Sequence, residues 1–523
     1  MGTPTHDNDN TLERLYDRHD IRNFGEEFMN WRHFGRAMAI TILLKVSGAY
    51  AQPVHDGFYW IGEMNKASAV MVVDTKIVER DLGRKIAAAV AKVIHDGEQP
   101  GASRPDDYLR VEPMLIAAGG PDVTRLHSGR SRQDMYSTWQ RIVLRETYLE
   151  SAASLNDYRA ALLNLARTGP DAIMPAFTMG VQAQPITLGH YVSGYLGALE
   201  RQAQRIRESY ARLNLSPLGA AAVGTSSFPI DRRQLATLLG FDGPIENSFD
   251  ANHVSPFDLD VEVAGLATAS AITSGALMAD LLDQYRQIRP WFLLAPSETT
   301  PSSIMPQKRN PFPMLLAREQ ATRTLGLAQI AVMLAHNIGP GVIEYRGDAA
   351  NNALREATQL QAAMAKLVRT LRFDAGRALE EVNGDYATTT ELADVLQREA
   401  NVPFRVGHHF ASDLVNFGRG HRLRVSELPY EDVKRIFAQS TKGLLGEEAA
   451  FPFSEARFRE TLTPENMVRS SRGLGGPQPT EVARMLAAQE EQLTADQSWL
   501  ETHRAALSRA SNELDAAFNR LKN

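Results

Sequence analysis

Apolar positions recur along this chain at helical spacing. Leu188, Val192, Tyr195, Leu199, Ala203, Ile206 and Tyr210 step by three or four residues, which predicts one amphipathic helix with Thr187 as its N-cap. Leu259, Val263, Leu266, Ser270, Leu277 and Leu281 form a second stripe in the proline-free stretch between Pro256 and Pro290. Proline is also missing from 122–169, 186–216, 314–339 and 341–402, and proline-free stretches of that length permit long helices. Alternating patterns of the strand type are scarce. The pattern predicts an all-α protein: a mostly helical N-terminal part over 1–135, a central long-helix bundle over 136–386, and a smaller helical part over 387–523. Residues 1–20 read as a poorly ordered tail.

The stretch Val263–Ala279 is uncharged and so resembles a membrane span. It is short and rich in Ala, Ser, Thr and Gly, so a helix buried inside a helical body is expected instead. The N-terminus lacks the apolar segment of an export signal, and His6 stands where myristoylation needs Ser or Thr.

Composition narrows the function. With 56 Lys plus Arg against 62 Asp plus Glu, the net charge is −6, which lacks the basic footprint of a nucleic-acid binder. The chain has no cysteine, which removes disulfides, thiolate catalysis and Cys-based metal sites, and is compatible with a reducing cytoplasm. No membrane or nucleic-acid partner is expected.

Three polar loops carry the candidate chemistry. The first is His127-Ser-Gly-Arg-Ser-Arg-Gln-Asp134, before the first long helix; its serines and arginines suit a carboxylate, although a capped, solvated helix start is the ordinary reading of this segment alone. The second spans 174–190, where Thr178, Gln182 and Gln184 are hydrogen-bond donors. The third is Pro301-Ser-Ser-Ile-Met-Pro-Gln-Lys-Arg-Asn-Pro311, with two serines, a lysine and an asparagine closed in by prolines. A serine base needs a nearby cation or dipole to favour its alkoxide, and this loop offers one.

The third loop resembles the fumarase/aspartase superfamily signature Gly-Ser-Ser-x-Met-Pro-x-Lys-x-Asn-Pro, with Pro301 in place of the leading Gly. The other loops resemble argininosuccinate lyase: HSGRSRQD beside HTGRSRND, and MPAFT…QAQPITLGH beside MPGYTHLQRAQPITLGH. Thr225-Ser-Ser-Phe-Pro-Ile-Asp-Arg232, Glu246-Asn-Ser-Phe-Asp250, Val402-Pro-Phe-Arg405 with His408, and Gly475-Gly-Pro477 extend the likeness. Several motifs in one order are more specific than any single one.

The resemblance implies a lyase that releases fumarate from a succinyl compound without metal or organic cofactor. It also implies a homotetramer whose active sites each draw loops from three chains. By motif position Ser302 is the base, with Lys308 and Asn310 stabilising the aci-carboxylate. Ser131, Arg132, Gln133, Thr178, Gln184 and Ser303 bind substrate.

Four departures qualify this picture. Met179 replaces the family's general-acid His, and Leu315 replaces the Glu that pairs with it, so a charged pair has become two apolar residues. Gln133 replaces an Asn. The family's arginine-reading segment is missing, its place taken by the stretch 336–348. Tyr108 and His253 are the candidate substitute acids, and a structural role is the commoner one for each. These changes point to a C–N lyase for a substrate other than argininosuccinate. The alternatives are a lyase-fold protein without catalysis, or an ordinary argininosuccinate lyase with a substituted acid.

Overall fold

The computed structural model describes residues 55–342 and 347–523. The expectations for the N-terminal tail therefore lie outside the described residues. The chain divides into Met1–Trp60 and a larger unit, Ile61–Asn523.

The larger unit is all-α. Its centre is a bundle of five long helices, Arg132–Arg167, Leu188–Leu213, Ser255–Gln284, Phe312–Ala335 and Ala349–Thr370, which pack on one another around one continuous apolar cluster. Both expected stripes face that cluster. Six of the seven residues on the first are buried and Tyr195 is half-buried; all six on the second are buried. Thr187 caps its helix as expected, its hydroxyl accepting the His190 N–H at 3.3 Å.

The Ser255–Gln284 helix is long and apolar enough to cross a membrane. Its Val263, Ala264, Ala267 and Ala271 are core residues of the bundle, which accounts for that composition.

Three helices, Gly57–Asp74, Arg80–Gly97 and Tyr108–Gly119, precede the bundle. After it, Thr389–Ala400, Phe404–His421, Tyr430–Leu445 and Glu455–Thr461 surround a second core in which Phe410, Phe437, Phe451 and Phe458 meet edge to face or tilted. The last helix, Pro479–Lys522, departs from the expected unit 387–523. It leaves the second core and runs along the Arg132–Arg167 and Leu188–Leu213 helices. An ionic contact holds it there: Asp496 pairs with Arg159 at 2.6 Å and also with Arg207. Arg159 and Asp496 are both buried, so removing either would strand a charge in the interior.

Strands among the described residues form only two-stranded ribbons. The longest was expected to be a loop. Ile173–Thr178 and Val181–Thr187 pair antiparallel, from Ile173 opposite Thr187 to Thr178 opposite Val181. The two-residue turn is Met179-Gly180, with φ of 54° and 78°. Positive φ at both positions is the hairpin geometry that matches strand twist, and glycine is favoured there. Methionine at the first position is locally strained.

Candidate active site

The 127–134 loop is locked from inside. Asp134 is fully buried. One of its carboxylate oxygens accepts the Ser131 N–H at 2.8 Å, and the other accepts Gly219 N–H at 3.0 Å and Ala221 N–H at 2.8 Å. Ser131 caps the Arg132–Arg167 helix, its Oγ accepting the Gln133 N–H at 3.3 Å. Burial pushes the Asp134 carboxyl up to about 6 despite those three N–H bonds and the nearby Arg130, each of which favours the anion.

The turn that Asp134 grips is itself strained. Ala221, Ala222 and Thr225 all have positive φ, at 48°, 70° and 59°. Such strain persists where surrounding contacts over-determine it, and it concentrates at functional sites. Asp134 was not a candidate from the motif. Its signal was nonetheless present: a Ser followed three residues later by an acid is a capping pattern.

The two arginines of this loop divide the work. Arg130 is buried and committed to the interior. Its guanidinium donates to Ser68 Oγ at 2.8 Å, Asn65 Oδ1 at 2.6 Å and His127 Nδ1 at 3.1 Å. Burial, followed by the Arg130 charge, drives His127 down to about 3, so it accepts that bond as a neutral ring. Arg132 faces outward, with one long contact to Asp107 at 3.5 Å. Of the expected ligands here, Ser131 and Arg132 reach the surface, while Gln133 is partly engaged, its Nε2 donating to Gly341 O at 3.2 Å.

The second loop is the hairpin. Thr178 lies at its tip, and Gln184 is exposed on the returning strand. Gln182 donates instead to Glu381 O at 3.1 Å, which ties the hairpin to the Ala375–Val382 helix. His190, at its base, donates to Gly475 O at 2.9 Å. Met179 at the tip is fully exposed.

The third loop is a second small hairpin. Thr300 pairs with Asn310 and Pro301 with Arg309, which closes the intervening segment. Asn310 Nδ2 donates to Thr300 O at 3.0 Å, and the Arg309 guanidinium clasps Pro306 O at 2.9 Å and Lys308 O at 3.0 Å. Within it Ser302 Oγ accepts the Met305 N–H at 3.2 Å and the Ile304 N–H at 3.5 Å. Two N–H dipoles aimed at one hydroxyl oxygen favour its alkoxide. Among the described residues Lys308 forms no ion pair. Ser303 and Lys308 are exposed, and Leu315 is half-exposed on the helix that follows.

The structure thus brings Ser302, Ser303, Lys308 and Asn310 into one hairpin and Ser131, Arg132 and Gln133 into one helix start. Among the described residues no hydrogen bond or ion pair joins these two groups to each other, or either to Thr178 and Gln184. Tyr108 is packed rather than presented. It stacks on His127 at 4.4 Å, lies under Arg130 at 5.0 Å, and its hydroxyl donates to Glu112 at 3.4 Å. His253 is buried near Gln133. Of the stretch 336–348, residues 343–346 lie outside the described residues.

Comparison with known proteins decides the family. A family model described as "Lyase" matches residues 59–326, and one described as "Argininosuccinate lyase C-terminal" matches 386–469. Argininosuccinate lyase of Methanoculleus marisnigri is 33% identical over 84% of this chain and 88% of its own length. The chain belongs to the argininosuccinate-lyase-like members of the fumarase/aspartase superfamily. Among solved members, EDDS lyase in complex with formate superimposes with a TM-score of 0.81 at 26% identity, covering 92% of this chain and 95% of that one. A doubly substituted EDDS lyase with bound fumarate superimposes with a TM-score of 0.80, also at 26% identity over 92% of this chain and 95% of that one. This lyase is therefore an enzyme-family member across its fold and its C-terminal part, with the signature hairpin inside the first matched region.

Proposed function

We propose that this lyase eliminates an amine from an N-substituted aspartate to give fumarate, or runs the reverse addition. The observation that carries the reading is the Ser302 hydroxyl, which accepts two backbone N–H groups inside the hairpin that also presents Lys308 and Asn310. The proton beside a carboxylate is very weakly acidic, so removing it requires a base and strong stabilisation of the aci-carboxylate. Ser302 is the base. Lys308, Asn310 and Ser303 stabilise the charge that develops. Ser131, Arg132, Gln133, Thr178 and Gln184 hold the carboxylates. The likeness to EDDS lyase, one form of which holds bound fumarate, supports a lyase reaction that gives fumarate.

The active protein is a homotetramer whose sites combine loops from three chains. Support comes from the lack, among the described residues, of any hydrogen bond or ion pair joining the three loops within one chain, and from the exposed apolar residues on two bundle helices, Val261 and Ile272 on one, Ile330 and Met333 on the other. A cytoplasmic setting fits a chain without cysteine.

Argininosuccinate is not the substrate. Met179 and Leu315 stand where the family's acid and its partner would be, and guanidine is a strongly basic leaving group. Restoring Met179→His with Leu315→Glu should not rescue argininosuccinate cleavage, because the arginine-reading segment is still missing. The Met179–Leu315 exchange also supports a second reading, a lyase fold without catalysis.

The deciding experiment incubates the protein with fumarate and a panel of amines, hydroxylamine, hydrazine and nitrite. Loss of fumarate absorbance with one of them names the nucleophile. Fumarate or succinate should raise the melting temperature. Efficient release of arginine from argininosuccinate would sink the substrate assignment, and inertness toward the whole panel would favour the catalytically silent reading.

A further inference from the structure

His253 has two ring nitrogens, and among the described residues neither has a partner. It ends the short Ser248–His253 helix, is 6% exposed, and among the described residues neither Nδ1 nor Nε2 makes a hydrogen bond. An unsatisfied buried polar group is costly, so its presence calls for a reason.

The ring is held firmly. Asn247 caps the helix through bonds from the Phe249 and Asp250 N–H groups, at 2.8 and 3.2 Å. Asn252 donates to Ala222 O at 2.9 Å, in the same strained turn that Asp134 grips. Phe249 packs against the imidazole, with ring centres 4.6 Å apart. On another side lies Gly341, with φ of 87°, where an added Cβ would sit 3.1 Å from the ring's Cε1 and Nδ1 and 4.0 Å from Gln133 Nε2. One glycine therefore separates His253 from the loop that carries Ser131, Arg132 and Gln133. Tyr108 differs, since its hydroxyl already bonds Glu112 and its ring packs against His127 and Arg130.

We propose that His253 is the proton donor to the departing nitrogen, a task that Met179 cannot perform. The proposal rests on the elimination reading above. Ser302 as alkoxide takes the proton from the carbon beside the retained carboxylate. The C–H electron pair becomes the carbon–carbon double bond, and the C–N bond breaks with its pair on nitrogen. Protonated His253 gives its N–H proton to that nitrogen, so the amine leaves neutral and the imidazole is left neutral. Solvent then carries the proton on Ser302 back to the imidazole, and no other reactant is consumed.

The test uses a series of N-alkyl and N-aryl aspartates whose amines span a wide range of basicity, with fumarate release followed in the full-length wild type and in His253→Gln. Loss of a general acid costs about 10²–10⁴-fold in rate. The expected result is a drop of that size in kcat for basic alkylamines, a much smaller drop for weakly basic anilines, and hence a steeper dependence of log kcat on amine basicity. A merely structural role would lower all substrates alike. An unchanged slope, whether rates fall uniformly or not at all, overturns the proposal. His253→Phe serves as the second variant if the glutamine protein does not fold. If no member of the series turns over, the elimination reading fails by itself. A crystal structure with fumarate and butylamine then decides His253 separately. Amine nitrogen within hydrogen-bond reach of the imidazole supports the assignment, and its absence from that place overturns it.

Discussion

The helix start at 127–134 and the hairpin at 300–311 carry the two halves of the proposed chemistry, yet they are built in opposite ways. The first is set into the protein. Asp134 takes three N–H groups from two segments, and Arg130 reaches back to Asn65 and Ser68, so the loop's geometry is fixed within one chain. The second holds itself. The hydrogen bonds of Ser302, Asn310 and Arg309 all fall inside 300–310, and most of its side chains face outward. A carboxylate-binding loop can be preorganised by its own interior. A serine base is costly to desolvate in one chain, and in the proposed tetramer it would gain its low-dielectric surroundings from the neighbouring chains.

The largest effect expected from this contrast is in the hairpin. Ser302→Ala should lower turnover by about two to four orders of magnitude, as loss of a base does, while melting temperature and oligomeric state stay at wild-type values. An alanine variant with near-full activity on the true substrate would remove Ser302 from the mechanism.

Next comes assembly. Charge placed on the exposed bundle face, as Ile272→Asp, should split the oligomer in sedimentation and abolish turnover, because the hairpin then lacks its neighbours. Full activity from a sedimenting monomer would contradict the shared site.

Asp134→Asn probes the other half. One amide NH₂ would then face backbone N–H donors, and a buried unsatisfied group costs about 1–3 kcal/mol. Stability should fall by that order in urea titration, and fumarate affinity should fall about tenfold in calorimetry. Unchanged fumarate affinity would separate the locked loop from ligand binding.

The same loop predicts a pH response. His127 is driven from 6.5 down to about 3 in the fold. The unfolded chain therefore takes up that proton first, and stability from this group, present above pH 6.5, is lost as pH falls toward 3. Asp134 acts in the opposite sense. Its carboxyl is raised from 3.8 to about 6, so its stabilisation is present below pH 3.8 and is lost as pH rises through 6. His127→Gln should flatten the decline in unfolding free energy between pH 6.5 and 4, and an unaltered slope would show that the ring is not held neutral.

The smallest effect belongs to Met179. A non-glycine residue in left-handed conformation is disfavoured by about 1–2 kcal/mol, so Met179→Gly should raise the melting temperature slightly in calorimetry. A lower melting temperature would mean that the exposed methionine is covered in the assembled protein.

The sequence by itself determined the helices and pointed to the candidate chemistry. The stripes on 188–210 and 259–281 follow from helical period, and the candidate Ser302–Asn310 set follows from the resemblance of one short segment to the superfamily signature. Both are local, so a linear reading finds them. Tertiary structure decided what depends on contacts between distant segments. Met179-Gly180 became the turn of a hairpin because Ile173–Thr178 found Val181–Thr187 as its partner strand. The Pro479–Lys522 helix lies on the bundle, where Leu493 and Leu500 join the core and Asp496 meets Arg159 and Arg207, across separations of 337 and 289 residues by their numbers. Arg130 and Arg132 look alike in sequence, yet only one is buried, because Asn65 and Ser68 lie beside it. Asp134 and His253 took their places for the same reason. Burial and unpaired polar atoms are properties of a packed interior, and no spacing along the chain records which distant backbone will close around a side chain.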